Sequence, residues 1–365
     1  MARQGRKAGP GLALVLGAGL VGCEEFDDPS TIKDLRLLAA QLEPAEIILD
    51  PAAPGAPLPG FKLTPLLVDG PRGPGDSRPF SFSLRACANN PQAPSAPGAG
   101  GEAAGNYPAG GARSSVGSAR CPADGPTSWT LPVIAAAPAP GAAATGTAFS
   151  VTLTPVQLDA AFAVDVFLGH RMIKHGGIDL GLPITFEITA RAGDEQITGI
   201  KRLIVWKAPI TPQHQANQNP QISELIGYRD RDPVTLLPSG DAAALAPDGS
   251  ATVPAGGGLW LEPRGAVAEP YVTAVVDRYT DETHPDAVPA ETLRYSFYAT
   301  AGKFEPRETT SELAFGAKTS TGRVPVEARY LAPATAPPQP VRIFIVVRDE
   351  RGGTSWIERT LTITP

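Results

Sequence analysis

Short runs in which apolar and polar residues alternate recur along most of the chain. In residues 79–87, Phe80, Phe82 and Leu84 fall on one face and polar residues occupy the positions between them. A period of two is typical of a half-buried β-strand. Comparable runs, separated by Gly, Pro and Asp, occupy residues 61–68, 147–153, 184–191, 200–206, 258–263, 271–279, 292–302, 324–333, 340–349 and 354–364. The pattern predicts an all-β fold.

Two segments depart from this alternation. Residues 31–50 fit neither period, so a bulged strand and a short helix are both open. The Glu43-Pro44 step favours extended chain, and we expect a strand that enters the first domain. Residues 155–169 have Pro155 at a plausible first helical turn and apolar residues at helical spacing, which predicts a helix.

A polar stretch divides the chain in two. Residues 207–221 contain three prolines and no apolar periodicity, which indicates a linker. The sequence thus predicts a β-rich domain over 31–206 and an immunoglobulin-like β-sandwich over 222–365.

A weak internal repeat indicates that both domains end alike. At an offset of 157, residues 183–206 align with residues 340–363 and are identical at five of 24 positions. Each copy consists of a strand, a polar turn with Gly and a second strand, which predicts a terminal β-hairpin.

The first strand of the second hairpin has one uniformly aliphatic face, formed by Val341, Ile343, Ile345 and Val347. Because side chains alternate across a strand, we expect this face to point into the core. The other face, which begins at Arg342, is expected to point to solvent.

The N-terminus has the pattern of an export signal. Arg3, Arg6 and Lys7 precede 15 uncharged positions, residues 8–22. That length is typical of a signal peptide and too short for a spanning helix, which needs about 20 residues. We therefore predict a cleaved signal peptide over residues 1–22.

The signal ends in Leu20-Val21-Gly22-Cys23. This tetrapeptide resembles the lipobox of bacterial lipoproteins. The resemblance implies that Cys23 is lipidated and that residues 23–30 form a tether between membrane and fold. Glu24 differs from the Asp that retains such proteins in the inner membrane of enteric bacteria, which favours the outer membrane.

The same glycines allow a second interpretation. Residues 17–22 also match G-x-G-x-x-G, and Glu43 lies near the spacing of a ribose-binding acid. This pattern resembles the start of a dinucleotide-binding Rossmann fold and implies an oxidoreductase. That motif needs a following helix, and Pro29 in this position opposes one.

Two cysteines are left after Cys23. In an exported protein, Cys87 and Cys121 predict a disulfide. It would enclose residues 88–120, a low-complexity insert of Ala, Gly, Pro, Ser and Asn. The insert is either a binding surface or a surface insertion that the disulfide closes.

Charge and composition leave few chemical candidates. A net charge of −6 argues against nucleic-acid binding, and no catalytic constellation or resident cofactor is indicated. The acidic stretch with Asp277, Asp281, Glu282 and Asp286 is either a Ca²⁺ site or a solvated loop. Asp349 is a second Ca²⁺ candidate, or a turn residue that accepts hydrogen bonds from its own backbone. The four Trp are either strand-face residues or sugar contacts.

Larger resemblances follow from several segments. Residues 290–365 resemble bacterial immunoglobulin-like and PKD- or cadherin-like sandwich domains. The whole chain resembles predicted lipoproteins of unknown function in GC-rich Gram-negative bacteria, through residues 34–39, Glu43-Pro44, residues 348–353 and Trp356. No activity comes with this resemblance.

Together these patterns predict a lipid-anchored protein of the cell envelope, at the outer rather than the inner membrane. Its expected role is binding, adhesion or structural support without catalysis. The membrane and an envelope protein or glycan are its expected partners. The alternative is an accessory module that binds carbohydrate or peptidoglycan.

Overall fold

A computed structural model describes twelve parts of the chain: residues 28–49, 60–71, 79–88, 121, 128–131, 135–136, 149–151, 182–207, 216–246, 250–269, 291–312 and 324–365. Within them lie nineteen strands and no helix, which confirms the predicted all-β class. The helix predicted over 155–169 lies outside the described residues.

The first nine strands belong to the N-terminal half. They are β1 (Arg36–Glu43), β2 (Glu46–Leu49), β3 (Phe61–Val68), β4 (Phe80–Ala88), β5 (Ser128–Leu131), β6 (Ala135–Ala136), β7 (Phe149–Val151), β8 (Leu182–Ala192) and β9 (Glu195–Lys207).

Ten strands follow in the C-terminal half. They are β10 (Glu224–Tyr228), β11 (Ala243–Ala244), β12 (Ser250–Pro254), β13 (Gly258–Arg264), β14 (Arg294–Ala299), β15 (Lys303–Glu305), β16 (Glu308–Thr310), β17 (Ala328–Leu331), β18 (Val341–Arg348) and β19 (Thr354–Thr364).

The C-terminal strands form two five-stranded sheets, in the orders β11-β10-β13-β17-β15 and β12-β19-β18-β14-β16. The series β10-β13-β17-β15 is the A-B-E-D sheet of an immunoglobulin-like sandwich, and β14-β18-β19 is its C-F-G sheet. Both sheets contribute to one apolar core, which includes Leu261, Phe297, Phe304, Tyr330 and Ile345. This half is therefore an immunoglobulin-like β-sandwich.

The N-terminal strands repeat the plan. One sheet has the order β1-β3-β7, and the other has the order β2-β9-β8-β4-β5, with β6 paired to β4. A separate core joins them and includes Leu42, Leu63, Phe82 and Phe186. The alternation predicted for β4 is confirmed, because Phe80, Phe82 and Leu84 are buried in this core while Ser81 and Ser83 are exposed.

The repeat detected in the sequence corresponds to equivalent hairpins. Strands β8 and β9 pair antiparallel, as do β18 and β19. In each sandwich the last strand also pairs in parallel with a short edge strand, β2 with β9 and β12 with β19. Five identities in 24 positions therefore mark a shared topology.

The described part of the ambiguous segment, residues 31–49, contains two strands and no helix. Strand β1 pairs with β3 and its register shifts between Leu37 and Ala39, which is the bulged strand that was one of the two open alternatives. Strand β1 ends just before Pro44, and the chain continues as β2. The two strands belong to opposite sheets of the same sandwich.

The outer face of the second hairpin is not exposed, and here the sequence-based expectation is wrong. Val341, Ile343, Ile345 and Val347 do point into the core, but the opposite face is buried as well. Phe344 and Val346 are inaccessible to solvent. They pack with residues of the N-terminal half in a third apolar cluster, composed of Ile32, Leu38, Ala39, Leu66, Val68, Tyr298, Phe344 and Val346, with Trp356 at its edge.

This third cluster joins the sandwiches face to face, and we call it the sandwich interface. Its N-terminal side comes from β1, β3 and the segment before β1, and its C-terminal side comes from β14, β18 and β19. Arg348 adds a polar link, because its Nη2 donates to the carbonyl of Leu38 at 2.6 Å.

Candidate functional site

The predicted disulfide between Cys87 and Cys121 is confirmed. The two Cα atoms lie 5.6 Å apart, and both residues are buried. The backbone N–H of Cys121 donates to Glu187 Oε2 at 2.8 Å, which fixes it against β8. The bond therefore links β4 covalently to the residue that follows the predicted insert over 88–120. Beyond Ala88, that insert lies outside the described residues.

Other predicted sites lie outside the described residues. These are the lipidation site Cys23 and the calcium candidates Asp277, Asp281, Glu282 and Asp286. In the parts of the chain that are described, no group of three or more His, Cys, Asp or Glu residues is arranged to hold a metal ion.

The turn between β18 and β19 contains Asp349, which was a candidate turn residue. Its Oδ1 accepts the backbone N–H groups of Arg351, at 3.0 Å, and Gly353, at 2.6 Å. Gly352 has a positive φ of 96°, and a Cβ on Gly353 would lie 2.1 Å from Asp349 Oδ2. The turn thus requires both glycines and holds Arg351 in a fixed position.

The Arg351 side chain, only 7% exposed, contacts carboxylates from both halves of the molecule. It donates to Glu46 Oε2 at the start of β2. Its Nε lies 3.5 Å from Glu291 Oε1, and its Nη1 lies 3.9 Å from Glu269 Oε2. Glu46 and Glu291 are almost fully buried. The guanidinium therefore neutralises the Glu46 carboxylate, which would be costly to bury alone, and lies beside the Glu291 side chain.

A buried lysine approaches the same turn from β9. Lys201 Nζ donates to the carbonyl of Gly352 and, at 2.8 Å, to Thr354 Oγ1. Burial lowers the pKa of Lys201 to about 7, although the nearby Asp349 carboxylate opposes the change. The amine is held by neutral acceptors and is partly uncharged near neutral pH.

Asn217 completes the group. Its backbone N–H donates to Glu46 Oε2 at 2.8 Å, and its Nδ2 donates to Asp349 Oδ2 at 3.1 Å. We call Glu46, Lys201, Asn217, Glu291, Asp349 and Arg351 the junction cluster. It lies where the two sandwiches and the connecting segment meet.

The connecting segment is itself bound to both sandwiches. Asn219 Nδ2 donates to the carbonyl of Leu42 at 2.7 Å, and Asn219 Oδ1 accepts the N–H of Thr354 at 2.8 Å. Strand β9 extends to Lys207, one residue into the predicted linker. The described end of that linker, residues 216–221, therefore contributes to the junction.

Two carboxyl groups of the junction cluster have raised pKa values. Burial, together with the negative charge of Asp349, raises the pKa of Glu291 to about 8 even though Arg351 opposes the change. Burial also raises the pKa of Asp349 above its usual range, against the hydrogen bonds from Asn217 and Gly353. Near neutral pH, Glu291 is therefore mostly a neutral acid.

These pKa shifts predict that the free energy of unfolding decreases as the pH rises from 5.5 to 8. Because the pKa of Glu291 is about 8 in the fold and near 4.5 in the unfolded chain, the fold binds an extra proton in this range. This extra proton stabilises the fold by about 3 kcal/mol more at pH 5.5 than at pH 8. The effect is complete below pH 4.5 and is lost as the pH rises through 8. Lys201 acts in the opposite direction, because its pKa is about 7 in the fold and 10.5 in the unfolded chain. Above about pH 6 the unfolded chain therefore binds more of this proton, which offsets part of the decrease towards pH 8.

Urea unfolding at pH 5.5 and pH 8 tests this prediction. Glu291→Gln keeps the shape of the side chain and cannot ionise, so this variant should show a much smaller decrease. In this variant Asp349 leaves a slope in the same direction, and Lys201 leaves one in the opposite direction. Equal slopes for the variant and the parent protein would show that Glu291 is already ionised in the fold.

A loop at the other end of the C-terminal sandwich is also unusually well fixed. In the loop of residues 229–240, Asp232 Oδ1 accepts the N–H groups of Val234 and Thr235, at 2.8 and 2.7 Å. Arg231 forms an ion pair with Glu327 at 3.1 Å and lies 3.9 Å above the ring of Trp260. Trp260 therefore contacts the Arg231 side chain, and Trp356 packs against the sandwich interface. Both rings have contacts within the protein.

The first described residues of the chain dock close by. The N–H of Ile32 donates to the carbonyl of Ala299 at 2.7 Å, and the N–H of Ala299 donates to the carbonyl of Ser30 at 2.8 Å. Thr31 Oγ1 donates to the carbonyl of Gly302 at 2.5 Å. Residues 28–32 are thus fixed to the C-terminal sandwich, although the chain next enters the N-terminal one.

Sequence reasoning identified Asp349 and missed the rest of the junction cluster. Glu46, Lys201 and Glu291 are distant in sequence, and each falls in an ordinary strand or loop pattern. The one signal in the sequence was Lys201, a charged residue at a strand position where an apolar residue would also fit.

Comparisons with known proteins add little. No protein-family model matches the chain, and no curated protein matches it. Among solved structures, Escherichia coli alpha-2-macroglobulin activated by porcine elastase is 12% identical over 92% of this chain and 22% of its own, with a TM-score of 0.22. A chimeric titin Z1Z2 tandem is 9% identical over 91% of this chain and 100% of its own, with a TM-score of 0.20.

A hypothetical protein from Saccharophagus degradans, related to nucleoside hydrolases and associated with carbohydrate metabolism, is 16% identical. It matches 32% of this chain and 22% of its own, with a TM-score of 0.16. The chain thus spans about a fifth of the length of this protein and of the macroglobulin. At these TM-scores, none of the likenesses bears on function, and the immunoglobulin-like assignment depends on the strand order described above.

Proposed function

We propose that this chain is a lipid-anchored protein of the bacterial cell envelope, in which two joined immunoglobulin-like sandwiches serve binding, adhesion or structural support without catalysis. Lipid on Cys23 attaches the protein to the membrane, at the outer rather than the inner membrane. The partner is a protein or glycan of the envelope.

One observation carries the proposal more than any other: the chain becomes fixed to the folded body immediately after the proposed anchor. Asp28 lies five positions after Cys23 in the sequence, and Ser30 to Ile32 are hydrogen-bonded to the C-terminal sandwich. A chain of five residues reaches at most about 17 Å. Lipid at Cys23 would therefore hold one defined end of the molecule near the membrane.

A further feature supports the proposal. The Cys87–Cys121 disulfide is typical of oxidising compartments such as the periplasm and the cell surface. Among the described residues, no helix has the length and hydropathy to cross a bilayer.

Metabolic labelling with radioactive palmitate tests the anchor. The parent protein is expected to incorporate label and to fractionate with membranes, and Cys23→Ala should abolish both. The matched control removes the other cysteines by Cys87→Ala together with Cys121→Ala, which should leave the labelling intact. Unlabelled parent protein, or label that persists in Cys23→Ala, would contradict the proposal.

A further inference from the structure

The 229–240 loop exposes large apolar side chains in an ordered setting. In the described part of the chain, the strongly exposed large apolar residues are Val234, at 70%, Leu237, at 47%, and Val267, at 73%. The first two lie three residues apart in one loop. Single exposed apolar residues are common, so the distinguishing feature here is that two of them lie on one fixed loop.

The loop holds these side chains outward by internal bonds. The N–H of Asp232 donates to the carbonyl of Leu237, and the N–H of Leu236 donates to the carbonyl of Asp232, both at 2.9 Å. Leu236 has a positive φ of 58°, which is unusual for a residue other than Gly. Such a conformation persists only where the surroundings enforce it, and it is frequent at functional sites.

The loop lies at the end of the sandwich where the start of the chain docks. Tyr228, Trp260, Arg329 and Glu305 form one row across β10, β13, β17 and β15. Beyond this row, β10 continues into the loop, and β15 is preceded by Gly302, which accepts the hydrogen bond from Thr31. Three strand spacings, about 14 Å, separate the loop from that dock.

We propose that the 229–240 loop lies against the phospholipid bilayer and inserts Val234 and Leu237 at its surface. This inference rests on the proposed lipidation of Cys23. The short tether brings the docked end of the sandwich to within about 17 Å of the lipid, and the loop belongs to that end. Val267 follows the opposite end of β13 and faces away from the membrane.

The charges of the loop indicate the kind of lipid. Arg229 and Arg231 are balanced by Asp230 and Asp232, so the contact is apolar and does not depend on anionic headgroups. Two side chains bury too little area to recruit a soluble protein to a membrane. The lipid on Cys23 keeps the loop close to the bilayer and so raises the effective concentration of the loop at the membrane surface. Contact between the loop and the bilayer then sets the orientation of the sandwiches.

Site-directed fluorescence on the native lipidated protein tests the proposal. Val234→Cys and, as the matched control, Val267→Cys are each labelled with NBD, an environment-sensitive dye. Because Cys87 and Cys121 are paired and Cys23 is lipidated in this account, the new thiol is the only reactive one. The proteins are reconstituted in phosphatidylethanolamine–phosphatidylcholine liposomes, with and without lipid that carries a spin label near the headgroup.

The expected result is a blue shift at position 234 and quenching by the spin-labelled lipid, with neither at position 267. A blue shift at 234 without quenching would indicate contact with protein, such as a second copy, and would overturn the inference. Equal spectra at the two positions would also overturn it. Failure of the parent protein to float with liposomes would refute the anchor itself, and the inference with it.

Discussion

Arg351→Met is expected to destabilise the fold by about 3–5 kcal/mol, because it leaves the buried Glu46 carboxylate without its cation. Glu46 is almost fully buried and faces the guanidinium directly, and Glu291 lies 3.5 Å from its Nε. Methionine fills a similar volume, so the loss comes from charge. Urea unfolding at pH 7 would measure the change in the free energy of unfolding.

A double-mutant cycle with Glu46→Gln separates charge from packing. Combined with Arg351→Met, this change removes the facing carboxylate and should recover much of the lost stability, which gives a large coupling energy. Additive effects of the two changes would show that Arg351 and Glu46 do not interact across the junction.

Val346→Asp is expected to cost several kcal/mol, comparable to the whole stability of many domains. Val346 has no exposed surface and packs in the sandwich interface. A carboxylate there would be buried in an apolar cluster with Leu38 and Leu66. The nearby Arg348 already donates to the carbonyl of Leu38 and to Ser296 Oγ. Thermal and urea unfolding of purified protein would measure the loss.

Val267→Asp makes the same chemical change at a side chain that is 73% exposed. It should change stability by less than about 0.5 kcal/mol. Similar effects at positions 346 and 267 would mean that the outer face of β18 is accessible and that the sandwiches do not pack together.

The alternation of polar and apolar residues was sufficient to predict most of the longer strands, but not how the strands assemble into sheets and sandwiches. The runs over 61–68 and 354–364 coincide with β3 and β19, because side chains that alternate in polarity can bury one face of a strand. Short strands such as β12 (Ser250–Pro254) were missed. Their neighbours in the sheet, more than their own composition, make them strands.

The sandwich interface was missed for a related reason. The face with Phe344 and Val346 also carries Arg342 and Arg348, and alternating charges are typical of a solvent-facing side. In the structure, Arg348 is satisfied by the carbonyl of Leu38 and by Ser296 Oγ, and Arg342 is paired with Glu358 at 2.7 Å. Polar partners distant in sequence thus permit burial of a face that looks amphipathic.

The disulfide was predictable because only two cysteines remain once Cys23 is assigned to lipid. The junction cluster was not, because its members come from β2, β9, the connecting segment, the residues before β14 and the β18–β19 turn. Its chemistry depends on burial that appears only when both sandwiches are assembled. Of the candidate site, sequence therefore supplied the turn built on Asp349 and little more.

The intact mass of the protein isolated from its native membrane tests the anchored-envelope account most directly. The account predicts a chain of residues 23–365 with the added mass of acyl groups on Cys23 and two fewer hydrogens for the Cys87–Cys121 bond. A chain that retains Met1 and carries no lipid would contradict it.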